Sequence, residues 1–219
     1  SSLSSLLGGL VEKFAARGYS LYLVGGSVRD ALLGRLGNDL DFTTPARPEV
    51  VKEILDEWAE TVWDTGIDFG TVSAAYKGQQ IEITTFRSDS YDGQSRNPEV
   101  VYGDTLEGDL VRRDFKANAM AIELLADASF KFHDPLHGLQ DIADRVLDTP
   151  DKPEISFHDD PLRMLRAARF ASQLEFRVAD RVVEAMRDMA GEIQRITVER
   201  VQVELDKLIC GTAPWDGID

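Results

Sequence analysis

The chain has 219 residues, 43% of them apolar and 29% charged, and a formal net charge of −15. That composition suits a folded globular protein of one large or two small domains, long enough to bury a core. It excludes a membrane-spanning helix, because no apolar run reaches the roughly 18 residues a span needs. With Cys210 as its single cysteine it also excludes an internal disulfide or a cysteine-rich zinc site, and its acidity excludes generic nucleic-acid binding through bulk positive charge.

The N-terminal SSLSSLLGGLVEKF lacks a basic segment ahead of an apolar core, so it does not read as a secretory signal, and the cytoplasm is the expected compartment. Leu3 to Ala16 has helical periodicity. Ser20 to Val24 is a short apolar strand, and Gly25-Gly26 turns into a helix over Val28 to Leu33. Leu40 to Thr43 reads as a strand, followed by a helix over Glu49 to Trp58. Thr71 to Tyr76 and Gln80 to Thr85 read as two strands joined at Gly78, a hairpin signal. From Ser88 to Gly108 the apolar pattern stops, and a loop of that length inside a domain is usually functional or mobile. Order returns over Arg113 to Glu123, and His133 to Gly138 is a turn-rich connection. Beyond Leu147 the pattern becomes helical: Asp160 to Leu174, Ala179 to Ala190 and Thr197 to Ile209, with no strand signal between them. A boundary is expected near Val146 to Pro153. The ending GTAPWDGID follows closely on a helix, consistent with a piece of something longer.

Asp39 and Asp41 are two residues apart inside an apolar strand, so both side chains point to one face. Carboxylates that close repel each other unless a cation lies between them. The alternatives are that one caps a helix or that both lie on a solvated face. As hard oxygen ligands they suit Mg²⁺ with room left for water and phosphate oxygens, and paired ions of this kind can activate a hydroxyl and neutralise pyrophosphate. Gly25 and Gly26 let the backbone approach a ligand, and the following helix start offers N–H groups to phosphate. Arg29 adds a charge-assisted contact. Two glycines before a helix are weak alone; with Arg29 and the aspartate pair they describe a triphosphate beside its metal. Glu82 alternates with Ile81 and Ile83 and is a candidate third carboxylate, or equally a cross-strand partner for a basic side chain. Arginines cluster at Arg112 and Arg113 and again at Arg163, Arg166 and Arg169, so local positive charge exists despite the acidic total.

Three motifs, LVGGSVRDALLGRLGNDLDF, RRDFKANAMA and DDPLRMLRAARFASQLEF, resemble the class II tRNA nucleotidyltransferases in kind and in order. These are the CCA-adding enzymes, which are similar to bacterial poly(A) polymerases. The likeness covers nearly the whole chain. It implies an α+β fold: a nucleotidyltransferase-fold head with a mixed β-sheet over 1–147, then an all-α neck over 148–219 that selects the base. It further implies template-independent addition of C, C and A to the 3′ end of tRNA from CTP and ATP, with release of pyrophosphate. Carried over by motif, Asp39 and Asp41 would bind Mg²⁺; Glu82 remains the candidate third catalytic carboxylate read from its strand. Gly25, Gly26 and Arg29 would meet the incoming nucleotide. Arg113 would contact phosphate, and Asp114 and Asn118 would touch the ribose or hold the loop.

Asp159, Asp160 and Arg163 match the family's EDxxR pattern. There an acidic pair and an arginine on a neck helix hydrogen-bond the base edge, accepting from the amino groups that C and A share. Arg166 and Arg169 follow Arg163 at three-residue steps and are expected to line the same cleft. Two positions depart from the pattern: Asp159 replaces glutamate and Lys116 replaces threonine.

Competing readings remain. HDD at 158–160 invites a phosphohydrolase reading, but only His133, His137 and His158 are available to it. DxD also occurs in sugar-nucleotide transferases, which the glycine–arginine element disfavours. Poly(A) polymerase shares fold and chemistry, yet no basic stretch follows the aspartate strand here. A split enzyme adding only CC or only A, or a fragment that binds nucleotide but cannot hold tRNA, is also consistent with the sequence. Trp58 and Trp63, with Met164, Met186 and Met189, are expected to pack internally.

Overall fold

The computed structural model describes residues 3–88 and 100–210. Residues 89–99 of the polar stretch and the C-terminal 211–219 lie outside the described residues. The chain forms two compact units. The first, the head, is Ser1–Arg112 with Asn118–Pro135; the second is Arg113–Ala117 with Leu136–Asp219. This division does not coincide with 147/148.

The head contains α1 (Leu3–Ala16), β1 (Leu21–Val24), α2 (Gly26–Leu32), β2 (Asp39–Thr44), α3 (Pro48–Trp58), β3 (Thr61–Trp63), β4 (Thr71–Tyr76), β5 (Gln79–Thr85), α4 (Leu106–Val111), β6 (Ala121–Leu124) and β7 (Phe130–His133). Its seven strands form one mixed sheet in the order β3-β4-β5-β2-β1-β6-β7. Only β2 and β5 run parallel; the other pairs are antiparallel. Register follows from side-chain alternation. Leu40, Ile81 and Ala74 form one cross-strand row, and Phe42, Ile83 and Val72 form the next. All six are buried. Helix α3 packs on β4 and β5 and buries Val51, Ile54 and Leu55, its apolar stripe. Pro48 opens α3 at a position where its missing N–H has no helical partner to lose.

The structure differs from the sequence expectations at the short elements. β3, β6 and β7 are three or four residues long, too short for alternation to show above background. Helix α4 begins inside the stretch read as a loop to Gly108. Its start is fixed by Thr105, whose hydroxyl accepts from Gly108 N–H at 3.2 Å.

The second unit contains α5 (Gly138–Asp144), β8 (Val146–Leu147), α6 (Pro153–Asp159), α7 (Leu162–Leu174), β9 (Arg177–Val178), α8 (Asp180–Met189) and α9 (Val198–Cys210). It is helical except for the parallel pair β8–β9, which the all-α expectation omits. Phe157, Met164, Val182 and Ala185 form a buried cluster, with Met186, Met189 and Ile193 packed against it. Among the described residues no helix is long and apolar enough to cross a membrane.

Candidate active site

Strand alternation that buries Leu40 and Phe42 puts Asp39 and Asp41 on the opposite, accessible face. On β5, Ile81 and Ile83 are buried and Glu82 faces the other way. The parallel register sets Asp41 directly beside Glu82 and Asp39 beside Gln80. Ser73 of β4 comes next in the same row as Glu82. The three carboxylates therefore share one face and line a cavity of about 530 Å³ with Ser73, Gln80, Thr65 and Trp63.

The electrostatics of this face are those of crowded negative charge. The Glu82 carboxyl is pushed above the usual carboxylate range, first by burial, then by the charge of Asp41, by a hydrogen bond shared with Asp41, and by the charge of Asp39; a hydrogen bond from Ser73 works against the rise. Among the described residues no three acidic, histidine or cysteine side chains form a complete metal cage. An all-oxygen, surplus-negative donor set with ligand positions left over fits a hard divalent ion that brings water and phosphate oxygens as further ligands.

The glycine loop lies next to this face through Ser27. Its buried hydroxyl accepts from Asp41 N–H at 3.0 Å, tying the start of α2 to the aspartate strand. Gly25 has φ 65° and ψ −137°, a conformation that side chains with a Cβ rarely adopt. A Cβ on Gly26 would stand 3.2 Å from Arg29 Nη2, so the guanidinium folds back under the loop. Arg29 is only 7% exposed. It donates to Asn118 Oδ1 at 2.7 Å and to Asp30 Oδ1 at 3.0 Å. Arg29 and Asn118, predicted separately, are thus direct partners. Both act on the shape of the loop.

In the second unit, Asp114 is buried at 7% exposure and accepts from Arg166 Nε at 2.9 Å and Nη2 at 2.6 Å. Glu204 of α9, at 4% exposure, accepts from Arg169 Nε at 2.7 Å and lies 3.6 Å from Arg166 Nη1. Both guanidiniums lie over the Phe170 ring, and Phe170 meets Phe115 edge-on at 6.0 Å. Burial opposes the charge of Arg166, but Asp114 and Glu204 outweigh it and its pKa rises. At Arg169 burial wins and the pKa falls below the usual arginine value. Arg113 adjoins this network through Asp114 in the chain and is half-buried.

The acidic pair and Arg163 do not share one helix. Asp159 ends α6, exposed, and Arg163 lies in the first turn of α7. Asp160 between them is extended, at φ −148° and ψ 96°, because Pro161 disfavours the helical region for the residue before it. Asp160 accepts from Leu162 N–H at 3.2 Å and from Arg200 Nη2 at 3.0 Å. Arg163 donates to Ser156 Oγ at 2.9 Å, so it turns to α6 while Arg166 and Arg169 engage Asp114 and Glu204. The three guanidiniums thus have different partners. Lys116 lies 3.4 Å from both Asp141 and Asp148.

Sequence reasoning missed Ser27, Ser73 and Glu204. Glu204 had a readable signal: it interrupts the helical stripe of Val201, Leu205 and Leu208. Trp63 was expected in the core. Instead it is 42% exposed and lines the carboxylate cavity. Trp58 stacks on Tyr76 at 4.1 Å, half-buried.

The chain is similar to known proteins along nearly its whole length. The family model of the poly A polymerase head domain matches residues 21–148. A second, described as the probable RNA and SrmB-binding site of polymerase A, matches residues 175–219. A CCA-adding enzyme of Listeria innocua is 41% identical over 211 residues, 96% of this chain and 52% of that protein. One from Levilactobacillus brevis is 43% identical over 95% of this chain and 51% of its own. The crystal structure of the Bacillus stearothermophilus CCA-adding enzyme in complex with CTP superposes with a TM-score of 0.81 at 36% identity, covering 96% of this chain and 49% of that one. A tRNA nucleotidyltransferase complexed with a primer tRNA and an incoming ATP analog gives 0.74 at 30% identity, over 90% of this chain and 54% of that one.

The fold is that of the nucleotidyltransferases, and the chain belongs to the poly(A) polymerase head-domain family, as the head and neck portion that class II tRNA nucleotidyltransferases share with it. Membership implies use of a divalent metal. The chain spans about half the length of the curated relatives it matches.

Proposed function

We propose that this chain carries the catalytic head and base-selecting neck of a CCA-adding tRNA nucleotidyltransferase, with a functional division near 147/148, acting in the cytoplasm. The observation that carries the reading is the row of Asp41 beside Glu82, with Asp39 on the same face and the Gly25–Gly26 loop tied to it through Ser27. The incoming CTP or ATP lies with its phosphates toward that loop, and the 3′ hydroxyl of tRNA attacks the α-phosphorus as pyrophosphate leaves. Asp39 and Asp41 would hold Mg²⁺, which when bound supplies charge neutralisation at the phosphates and lowers the pKa of the attacking hydroxyl.

The chain's own residues supply positioning and shape. Arg29, fixed by Asn118 and Asp30, sets the curvature of the glycine loop so that its backbone can face phosphate. Glu82 crowds Asp41 and raises the demand of this face for positive charge. In the neck, Asp159, Asp160 and Arg163 read the base edge, while Arg113, on the 1–147 side of the division, takes phosphate. Asp114, Arg166, Arg169 and Glu204 form a buried framework that keeps those elements in place. The curated relatives named as CCA-adding enzymes, and relatives solved with CTP and with ATP, support CCA addition over poly(A) synthesis.

The test is incubation with Mg²⁺, labelled CTP or ATP, and tRNA acceptors ending before CCA, after C and after CC. Stepwise C, C and A addition is expected. Runs of A would move the assignment to poly(A) polymerase, and C alone or A alone would indicate a split activity. Mg²⁺-dependent nucleotide binding without addition would mean a head and neck that cannot hold tRNA.

A further inference from the structure

Trp63 lies on the carboxylate cavity, on the side away from the glycine loop. The pairings β3–β4, β4–β5 and β5–β2 place Trp63, Ser73, Glu82 and Asp41 in a single straight cross-strand row. Directly opposed residues share a face of the sheet, so the indole of Trp63 stands on the carboxylate face. Neighbouring strands are about 4.8 Å apart, so three steps separate the Trp63 and Asp41 backbones by about 14 Å. Thr65, Ser73 and Gln80 line the space between, within the cavity of about 530 Å³. A large aromatic side chain that is 42% exposed in a polar cavity is available for stacking.

Sheet order gives this space a side. The glycine loop follows β1 and lies on one flank of β2, whereas β5, β4 and β3 extend from its other flank. In an in-line displacement the attacking oxygen and the leaving group lie on opposite sides of the phosphorus. If the triphosphate faces the β1 loop, the acceptor reaches the carboxylates from the β5–β4–β3 side. An acidic row repels the acceptor's phosphates, so an uncharged, flat group is the part of the acceptor that suits the wall farthest from the aspartates.

We propose that Trp63 is a stacking platform for the terminal base of the RNA acceptor, with Thr65, Ser73 and Gln80 lining the nucleoside subsite between it and the aspartates. The inference rests on the nucleotidyl-transfer reading and names the acceptor subsite of that same face. Stacking on an aromatic side chain tolerates any base, which suits a site that must accept acceptor ends before and after each addition.

The experiment measures nucleotide addition by the whole chain with Mg²⁺ and ATP. The acceptor is a short single-stranded RNA ending in CC, so that contacts elsewhere on tRNA do not mask the effect. Trp63→Ala should raise the acceptor KM about fivefold or more, the low end expected for one lost base–aromatic stack. The KM for ATP should not move, and Trp63→Phe should restore most of the loss. A wild-type acceptor KM in Trp63→Ala, with addition intact, overturns this inference and leaves the transferase reading standing. Equal rises in both KM values also overturn it, because they show general damage to the site. No addition by the wild type to this RNA or to tRNA overturns this inference, and absence of Mg²⁺-dependent CTP and ATP binding as well overturns both.

Discussion

The head and the neck use charge in opposite ways. In the head, the sheet aligns like charges: Asp39, Asp41 and Glu82 crowd one accessible face, and the Glu82 carboxyl is driven up as a result. In the second unit, which holds the neck helices, opposite charges are paired on buried carboxylates: Asp114 with Arg166, and Glu204 with Arg169 and Arg166. Crowded like charge favours arrival of a cation, while buried matched charge has little left to offer a ligand and serves to hold elements in register. A run of charged residues in a motif can therefore be framework, and the chemistry lies where charges are left in conflict.

The largest expected effect is at the conflict itself. Asp41→Ala should lower nucleotide addition by about 10³-fold or more, the scale of losing a main electrostatic element of a transfer site, while thermal unfolding changes little because the side chain is accessible. Radiolabel incorporation paired with a melting curve checks both halves. Next comes the framework. Glu204→Ala takes the buried carboxylate away from the part-buried Arg169 and Arg166 and should cost about 3 kcal/mol of stability, read from the urea midpoint. If the loss were instead confined to catalysis, with the midpoint unchanged, Glu204 would belong to the site and the contrast would fail.

A smaller effect is expected at Asn118. Asn118→Ala removes the 2.7 Å acceptor of a buried guanidinium and should cost about 1–3 kcal/mol, with a raised KM for nucleotide as the loop loses its shape. The smallest is at Glu82. Its folded pKa is raised, so the native state binds more protons than the unfolded state there. Stability from this group is therefore present at low pH and lost as pH climbs from the unfolded carboxylate range through the raised value. Glu82→Gln should raise the melting temperature of the metal-free protein at neutral pH by about 1–2 °C, a value kept small because solvent reaches the group. Adding a divalent ion should cancel or reverse that gain, which differential scanning calorimetry with and without the ion would show.

Much of this was legible in the residues. Alternation around Leu40 and Phe42 put the aspartates on one face, and Ile81 and Ile83 oriented Glu82, so the core of the head followed from period-two patterning. What alternation does not encode is which strands become neighbours. The parallel pairing of β2 with β5 brings Glu82 to Asp41 across a long stretch of chain, and the pairing of β3 with β4 moves Trp63 from an expected core position to the cavity. In the neck, helical spacing predicted Arg163, Arg166 and Arg169 on one face. All three do lie on α7, but Ser156 takes Arg163 while Asp114 and Glu204 take Arg166 and Arg169; the break at Pro161 separates only the acidic pair from Arg163. Partners that arrive from other elements are invisible to spacing along one helix.

The most direct test of the central claim is a calorimetric titration of CTP into the protein with and without Mg²⁺, repeated with an Asp39→Asn, Asp41→Asn double variant. Tight binding is expected only when the ion is present, with loss of that ion dependence in the variant. Equal CTP affinity with and without Mg²⁺, or an ion dependence that survives in the variant, would contradict it.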